Sequence, residues 1–229
     1  MIILILIIII IIIYFHKSRF VDLGLYNGDE WSSYRIGDVI FQPKNSEFYD
    51  PKFVNNILYH TDKFKGSIAA EYILNNESNE PNLKLLNQII KKRVNNSPNQ
   101  DTQTLYLHIR VGDVLCKKNS EWLNKINTSD QYTKKNDTKW WNGILKYIRK
   151  NNINKVVIIS GLHLPECIKE SNDYILDRKK FLENNNLNVT LILGQSPDDD
   201  IIRCAYVKHF ITTGGGYGKL IDQINKMNN

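Results

Sequence analysis

The pattern of hydrophobic and polar positions changes character twice along the chain. From Ile2 to Phe15 every residue is apolar or aromatic, nearly all of them isoleucine, and His16, Lys17 and Arg19 close the run. As a helix it would be about 21 Å long at 1.5 Å per residue. That is short of the ~30 Å hydrocarbon core, a gap that snorkelling flanks and thin bilayers narrow. The run has no polar face to offer water. It also lacks the basic n-region and small-residue cleavage site of a secretory signal. Residues 1–19 are therefore expected to form a single membrane-spanning anchor. The charges follow the apolar run, so the positive-inside rule points Lys17, Arg19 and the body of the chain to the cytosolic side, without settling the side of the membrane.

Residues 20–100 form a mixed, aromatic region. Gly28-Asp29 and Gly37-Asp38 are turn signals around a predicted strand, Asp38–Phe41. Phe53–His60 and Gly66–Leu74 have helical period. Asn75–Asn82 is a polar break containing Pro81, and a helix is predicted over Leu83–Val94 with Leu86, Ile89, Ile90 and Val94 on one face. Asn95–Thr102, rich in Asn, Ser, Pro and Gln, is the clearest linker.

Beyond the linker, short apolar runs alternate with helical segments. Strands are predicted at Leu105–Arg110, Val156–Ser160, Val189–Leu193 and His209–Thr213. Helices are predicted at Lys139–Lys150, Asp200–Val207 and Gly218–Lys226. Short continuous strands between helices imply a parallel sheet with crossover helices, hence an α/β, Rossmann-like domain over 101–229. The chain thus divides into an anchor (1–19), an N-terminal α/β region (20–100) and this C-terminal domain. No internal repeat is visible.

Composition changes this picture little. A formal charge of +6 is spread along the chain, with no basic helix and no Lys/Arg run interleaved with aromatics, which argues against a nucleic-acid partner. The cysteines Cys116, Cys167 and Cys204 are odd in number and lack metal-ligand spacing, so they are expected to be buried or idle thiols in a reducing compartment. Five N-x-[ST] sequons, at Asn76, Asn95, Asn127, Asn136 and Asn188, are unremarkable in so Asn-rich a chain.

Two segments carry chemistry. In Leu105–Asp113, strand alternation sets His108 and Arg110 on one side and Leu107 and Ile109 toward the core, Gly112 turns the chain, and Asp113 sits at the rim. Arginine suits a diphosphate because its charged fork matches two phosphate oxygens. In the second segment, Asp198-Asp199-Asp200 opens a helix, a strand follows, and Thr212-Thr213 leads into Gly214-Gly215-Gly216 at the start of the last helix. Glycines delivered into a helix start let backbone N–H groups approach a phosphate. Bland readings stand beside these: a strand-end salt bridge for Arg110, a core histidine for His108, and an acidic turn favoured by the helix dipole for Asp198–Asp200.

His-x-Arg-x-Gly-Asp at the end of a strand (His108 to Asp113) resembles the signature of the fucosyltransferase superfamily, the α1,2-, α1,6- and protein O-fucosyltransferases. The distal Asp–helix–strand–Gly-turn–helix segment is similar to theirs as well. The resemblance covers 105–222 and implies a trimmed GT-B-type fold and metal-independent transfer from a GDP-sugar to a glycan or protein hydroxyl. It implies no cofactor beyond that co-substrate. By that likeness Arg110 binds the β-phosphate, His108 and Asp200 help hold the nucleotide, and Gly112, Gly214, Gly215 and Gly216 shape the loops around the diphosphate. Asp113 is the candidate base for the acceptor hydroxyl. Val111 stands where many members have a second arginine, and three glycines replace a Ser-rich turn. Such transferases in the Golgi hold their bodies in the lumen, opposite to the positive-inside reading. Tyr132, Trp140 and Trp141 are candidates for stacking on an acceptor sugar, with packing as the alternative use. Two other functions fit: a GT-A-type enzyme holding a metal through Asp198-x-Asp200, and a membrane-tethered module that binds a nucleotide sugar without turnover.

Overall fold

The structure, a computed structural model, describes residues 37–41, 47–52, 79–94, 101–115, 132–162 and 167–229. The apolar run at 2–15, the helical segments 53–60 and 66–74, and Cys116 lie outside the described residues. Among those described, no helix is long and apolar enough to cross a membrane.

Four strands form one parallel sheet: β1 (Thr104–His108), β2 (Lys155–Ser160), β3 (Asn188–Leu193) and β4 (His209–Thr212), in the spatial order β3-β2-β1-β4. The helices among the described residues are α1 (Asp38–Phe41), α2 (Asn79–Lys91), α3 (Thr138–Lys150), α4 (Ile168–Glu183), α5 (Pro197–Cys204) and α6 (Gly216–Asn228). The expected α/β class with parallel strands is what forms, in a Rossmann-like arrangement. The chain runs outward from β1 through β2 to β3, then returns to add β4 on the other side of β1. In such open sheets the strand-order reversal leaves a crevice at the carboxyl ends of the two strands that flank it. Here those ends are His108 and Thr212, which pair across the ladder.

Alternation along buried strands sends neighbours to opposite faces. Leu105, Leu107 and Ile109 join Val156 and Ile158 beneath Trp141, Ile144 and Ile148 of α3 and Tyr174, Ile175 and Leu182 of α4. Val157, Ile159 and Phe210 face the other way, against Ile201 and Cys204 of α5 and Leu220, Ile221 and Ile224 of α6. Val39 and Ile40 of α1 and Leu86, Ile89 and Ile90 of α2 pack into this second cluster. The result is three layers, helix–sheet–helix.

Helix starts follow their caps. The Asp137 carboxylate accepts the Trp140 N–H at 2.8 Å to open α3. Ser196 caps α5 by accepting the Asp198 N–H, with Pro197 in the first turn.

Several expectations are corrected. Asp38–Phe41 is a helical turn instead of a strand. The Asp198 Oδ1 atom accepts the Val39 N–H at 2.8 Å, and Gly37 takes φ +74° to bring the chain in. A carboxylate from a distant helix thus overrides the β-branched preference of Val39-Ile40. The helix predicted from Leu83 begins at Asn79 and ends at Lys91, taking Pro81 into its first turn, where a missing N–H costs nothing. The segment predicted helical over Asp200–Val207 begins three residues earlier and ends at Cys204. Helix α4 has no counterpart in the sequence pattern. The expectation of idle thiols fails at Cys167, which is disulfide-bonded, while Cys204 is free and buried. Pairing depends on tertiary approach, which spacing along the chain does not reveal.

Candidate functional site

The crevice at the strand-order reversal is built by two loops. The first leaves β1 through Ile109, Arg110 and Val111 into a short 3-10 turn, Gly112–Val114. Ile109 and Val111 are buried in the α3/α4 cluster, which leaves Arg110 on the side of the crevice. Val111, where the resembled family often has a second arginine, therefore serves the core. Gly112 takes φ +77°, and its N–H donates to the buried Ser171 hydroxyl at 3.1 Å. A second buried hydroxyl, that of Ser160, donates to the Ile109 carbonyl at 2.7 Å.

The second loop leaves β4 through Thr212 and Thr213 into Gly214 and Gly215, at φ +128° and +83°. The loops are laced by hydroxyls. Thr213 Oγ1 accepts the Arg110 N–H at 3.0 Å, and the Thr213 N–H donates to the His108 carbonyl at 3.0 Å. Thr212 Oγ1 accepts the Gly214 N–H at 3.1 Å and lies 3.2 Å from His108 Nδ1. Two threonines just before the glycine run thus supply the hydroxyls that tie the loops together. Thr212 and Thr213 are missing from the sequence-derived site, and their position ahead of the glycines was the available signal.

Gly215 caps α6 and has no side-chain cap bond. Helix geometry leaves the amides of the first turn without intrahelical partners, and the dipole makes that end positive. Arg110 lies beside it: a β-carbon on Gly215 would stand 2.8 Å from Arg110 Cδ and 2.9 Å from Nη1. Gly218, one turn on, is likewise tight; its β-carbon would meet Thr212 Oγ1 at 2.3 Å and His108 Nδ1 at 3.0 Å. An arginine fork beside the opening of a 13-residue helix is suited to an anion of two or more charges.

His108 is 7% exposed. Burial first, then the Arg110 charge, pull its pKa down from 6.5 to about 4, so the ring is neutral at pH 7. The Tyr217 ring meets it edge-on, with centroids 6.0 Å apart, and the Tyr217 hydroxyl donates to the Pro197 carbonyl. Tyr217, given no role in the sequence-derived site, thereby ties α6 to the start of α5. The Arg110 guanidinium sits over the Tyr132 ring, 4.4 Å from its centroid.

The structure thus brings together His108, Arg110, Gly214, Gly215 and Gly216. Gly112 lies behind them as a turn, and the Asp113 side chain lies outside the described residues. Asp200 is 4% exposed, and its Oδ1 has no hydrogen-bond partner among the described residues. Burial first, with Asp199 adding to it and Arg203 opposing, raises its pKa from 3.8 to about 7. Asp198, the other carboxylate of the alternative Asp-x-Asp metal reading, accepts the Val39 N–H. Of the aromatic candidates, Trp141 is buried in the core with its Nε1 donating to the Lys134 carbonyl at 2.7 Å, and Trp140 packs edge-on against it. Packing accounts for both.

No family model, no curated protein and no solved structure matches this chain.

Proposed function

We propose that the chain is a membrane-anchored glycosyltransferase with a trimmed GT-B-type fold. It transfers fucose or a related sugar from a GDP-sugar to a hydroxyl of a glycan or protein, without a metal. The observation that carries this reading is the Arg110 side chain lying against Gly215 at the opening of α6. That pairing sits at the strand-order reversal, where open α/β sheets bind nucleotides. The identity of the donor rests on the His108–Asp113 resemblance.

In the transfer step the acceptor oxygen bonds to the anomeric carbon while the bond from that carbon to the β-phosphate oxygen breaks. GDP leaves with the electron pair, and Arg110 with the first-turn amides of α6 stabilises the charge that develops on it. The acceptor proton passes to a carboxylate, with Asp113 as candidate. His108, neutral, donates or accepts a hydrogen bond at the nucleotide without adding charge.

The Ile2–Phe15 run would hold the enzyme at the bilayer. A disulfide at Cys167 persists in oxidising compartments, which favours placing the body away from the cytosol despite the charges that follow the run.

The test is a thermal-shift and calorimetric panel of GDP, UDP, CMP and ADP on the full chain in mild detergent, with and without EDTA. GDP should stabilise most, and EDTA should leave binding and turnover unchanged. Stabilisation by UDP alone would sink the donor assignment. Loss of turnover in EDTA with rescue by Mn²⁺ would move the assignment to the metal-dependent reading through Asp198 and Asp200. Nucleotide binding without transfer to any acceptor would leave a binding module.

A further inference from the structure

Tyr132 has the form of an acceptor-stacking residue, but its ring face is taken by Arg110, whose Cζ lies 4.4 Å from the ring centroid, well within cation–π range. The segment that carries this ring is pinned from two helices. The Tyr174 hydroxyl of α4 donates to the Thr133 carbonyl at 2.6 Å, and Trp141 Nε1 of α3 donates to the Lys134 carbonyl at 2.7 Å. Thr133 itself is fully buried, and its hydroxyl accepts the Lys135 N–H at 3.2 Å. Such anchoring exceeds what a surface aromatic needs.

On another flank, Gly215 leaves Arg110 no more room than a glycine allows. A long arginine samples many rotamers in solution, and holding it in one of them converts lost entropy into affinity. A guanidinium resting on a ring uses its face, whereas phosphate is bound through its N–H edge, so the two contacts are compatible.

We infer that Tyr132 is a positioning residue that holds the Arg110 fork in register with the diphosphate of the bound nucleotide. This rests on the proposed role of Arg110. The aromatic ring provides the function, and the hydroxyl is dispensable.

The experiment measures GDP and inorganic pyrophosphate affinity by calorimetry on the full chain, corrected for the folded fraction from the melting curve. The variants are Arg110→Ala, Tyr132→Phe, Tyr132→Leu, and Tyr132→Leu combined with Arg110→Ala. Tyr132→Leu keeps apolar bulk but removes the π-face, and should bind GDP about tenfold more weakly. Tyr132→Phe should restore affinity, and the double variant should bind no more weakly than Arg110→Ala alone. If Arg110→Ala loses binding while Tyr132→Leu binds as the wild type does, the positioning role is overturned and the diphosphate site stands. If the Tyr132→Leu loss adds in full to that of Arg110→Ala, Tyr132 touches the ligand itself and the inference is likewise wrong. Wild-type affinity in Arg110→Ala would overturn the diphosphate reading, and this inference with it.

Discussion

Arg110 and Gly215 are in contact so close that no side chain fits between them: a β-carbon on Gly215 would stand 2.8 Å from Arg110 Cδ, at a backbone φ of +83°. Gly215→Ala should therefore strain the α6 cap and displace the guanidinium together. The backbone part costs about 1–3 kcal/mol of stability, read from denaturant unfolding. Displacement should weaken GDP binding by about tenfold in the folded fraction. A variant that loses stability but keeps wild-type affinity would separate the glycine from the site.

Arg110 itself should matter more to turnover than to folding. Losing one charge-stabilising donor costs about 2.7–4 kcal/mol, or roughly 10²–10³ in turnover. Arg110→Lys keeps the charge but loses the fork, and should be impaired nearly as much as Arg110→Ala. Melting temperature and GDP affinity measured on the same protein decide the role. A fall in melting temperature with affinity intact would make Arg110 a structural partner.

His108 and Asp200 pull the pH dependence of stability in opposite directions. His108 titrates at about 4 folded and 6.5 unfolded, so between those values the unfolded chain binds more protons and stability rises with pH. Asp200 titrates at about 7 folded and 3.8 unfolded, so the folded chain keeps its proton longer and stability falls as pH rises over the same window. The two nearly cancel in the wild type. Asp200→Asn should unmask the histidine: its melting temperature should rise across that window and exceed the wild type's at its upper end. Melting curves of wild type and variant that stay parallel with pH would show that the buried carboxyl does not titrate as described.

The cysteines should differ sharply in reactivity. Cys204 is buried, and burial pushes its thiol well above the usual range, so native protein should resist alkylation there until it is unfolded. Cys167 should label only after reduction. Mass mapping of protein taken from native membranes checks both, and a freely labelled Cys167 would argue for a body in the cytosol.

Much of the sheet was legible because its strands are continuous apolar runs ended by glycine or polar residues, as in Val156–Ser160. Helix α4 was not legible, because its buried positions are few and include Ser171 and Tyr174, while Leu176 on the same helix is 54% exposed. No 3.6-residue stripe stands out from such a sequence. Within the candidate site, His108 and Arg110 could be read from alternation, and the glycine run from its place before a helix. The partners of the threonine hydroxyls and of the Tyr132 ring could not, since pairing is set by the fold: Thr213 reaches the Arg110 amide across 103 positions, and Tyr132, a candidate for stacking on a sugar, lies under Arg110. The Asp38–Phe41 turn is the same lesson from the other side, a local β preference overruled by Asp198.

Val39, Ile40, Leu86 and Ile90, each at most 1% exposed, lean on the face of the sheet that carries α5 and α6. Burial of one such side chain contributes about 1.5–3 kcal/mol, so the four together contribute roughly 6–12 kcal/mol. That rivals the entire stability of an ordinary domain, about 5–15 kcal/mol. A fragment starting at the linker near residue 101 would carry the whole candidate crevice and still present a bare apolar flank to water. The early part of the chain is thus a wall of the same building, and stripping it away should yield sticky, aggregating material in place of a minimal binding module.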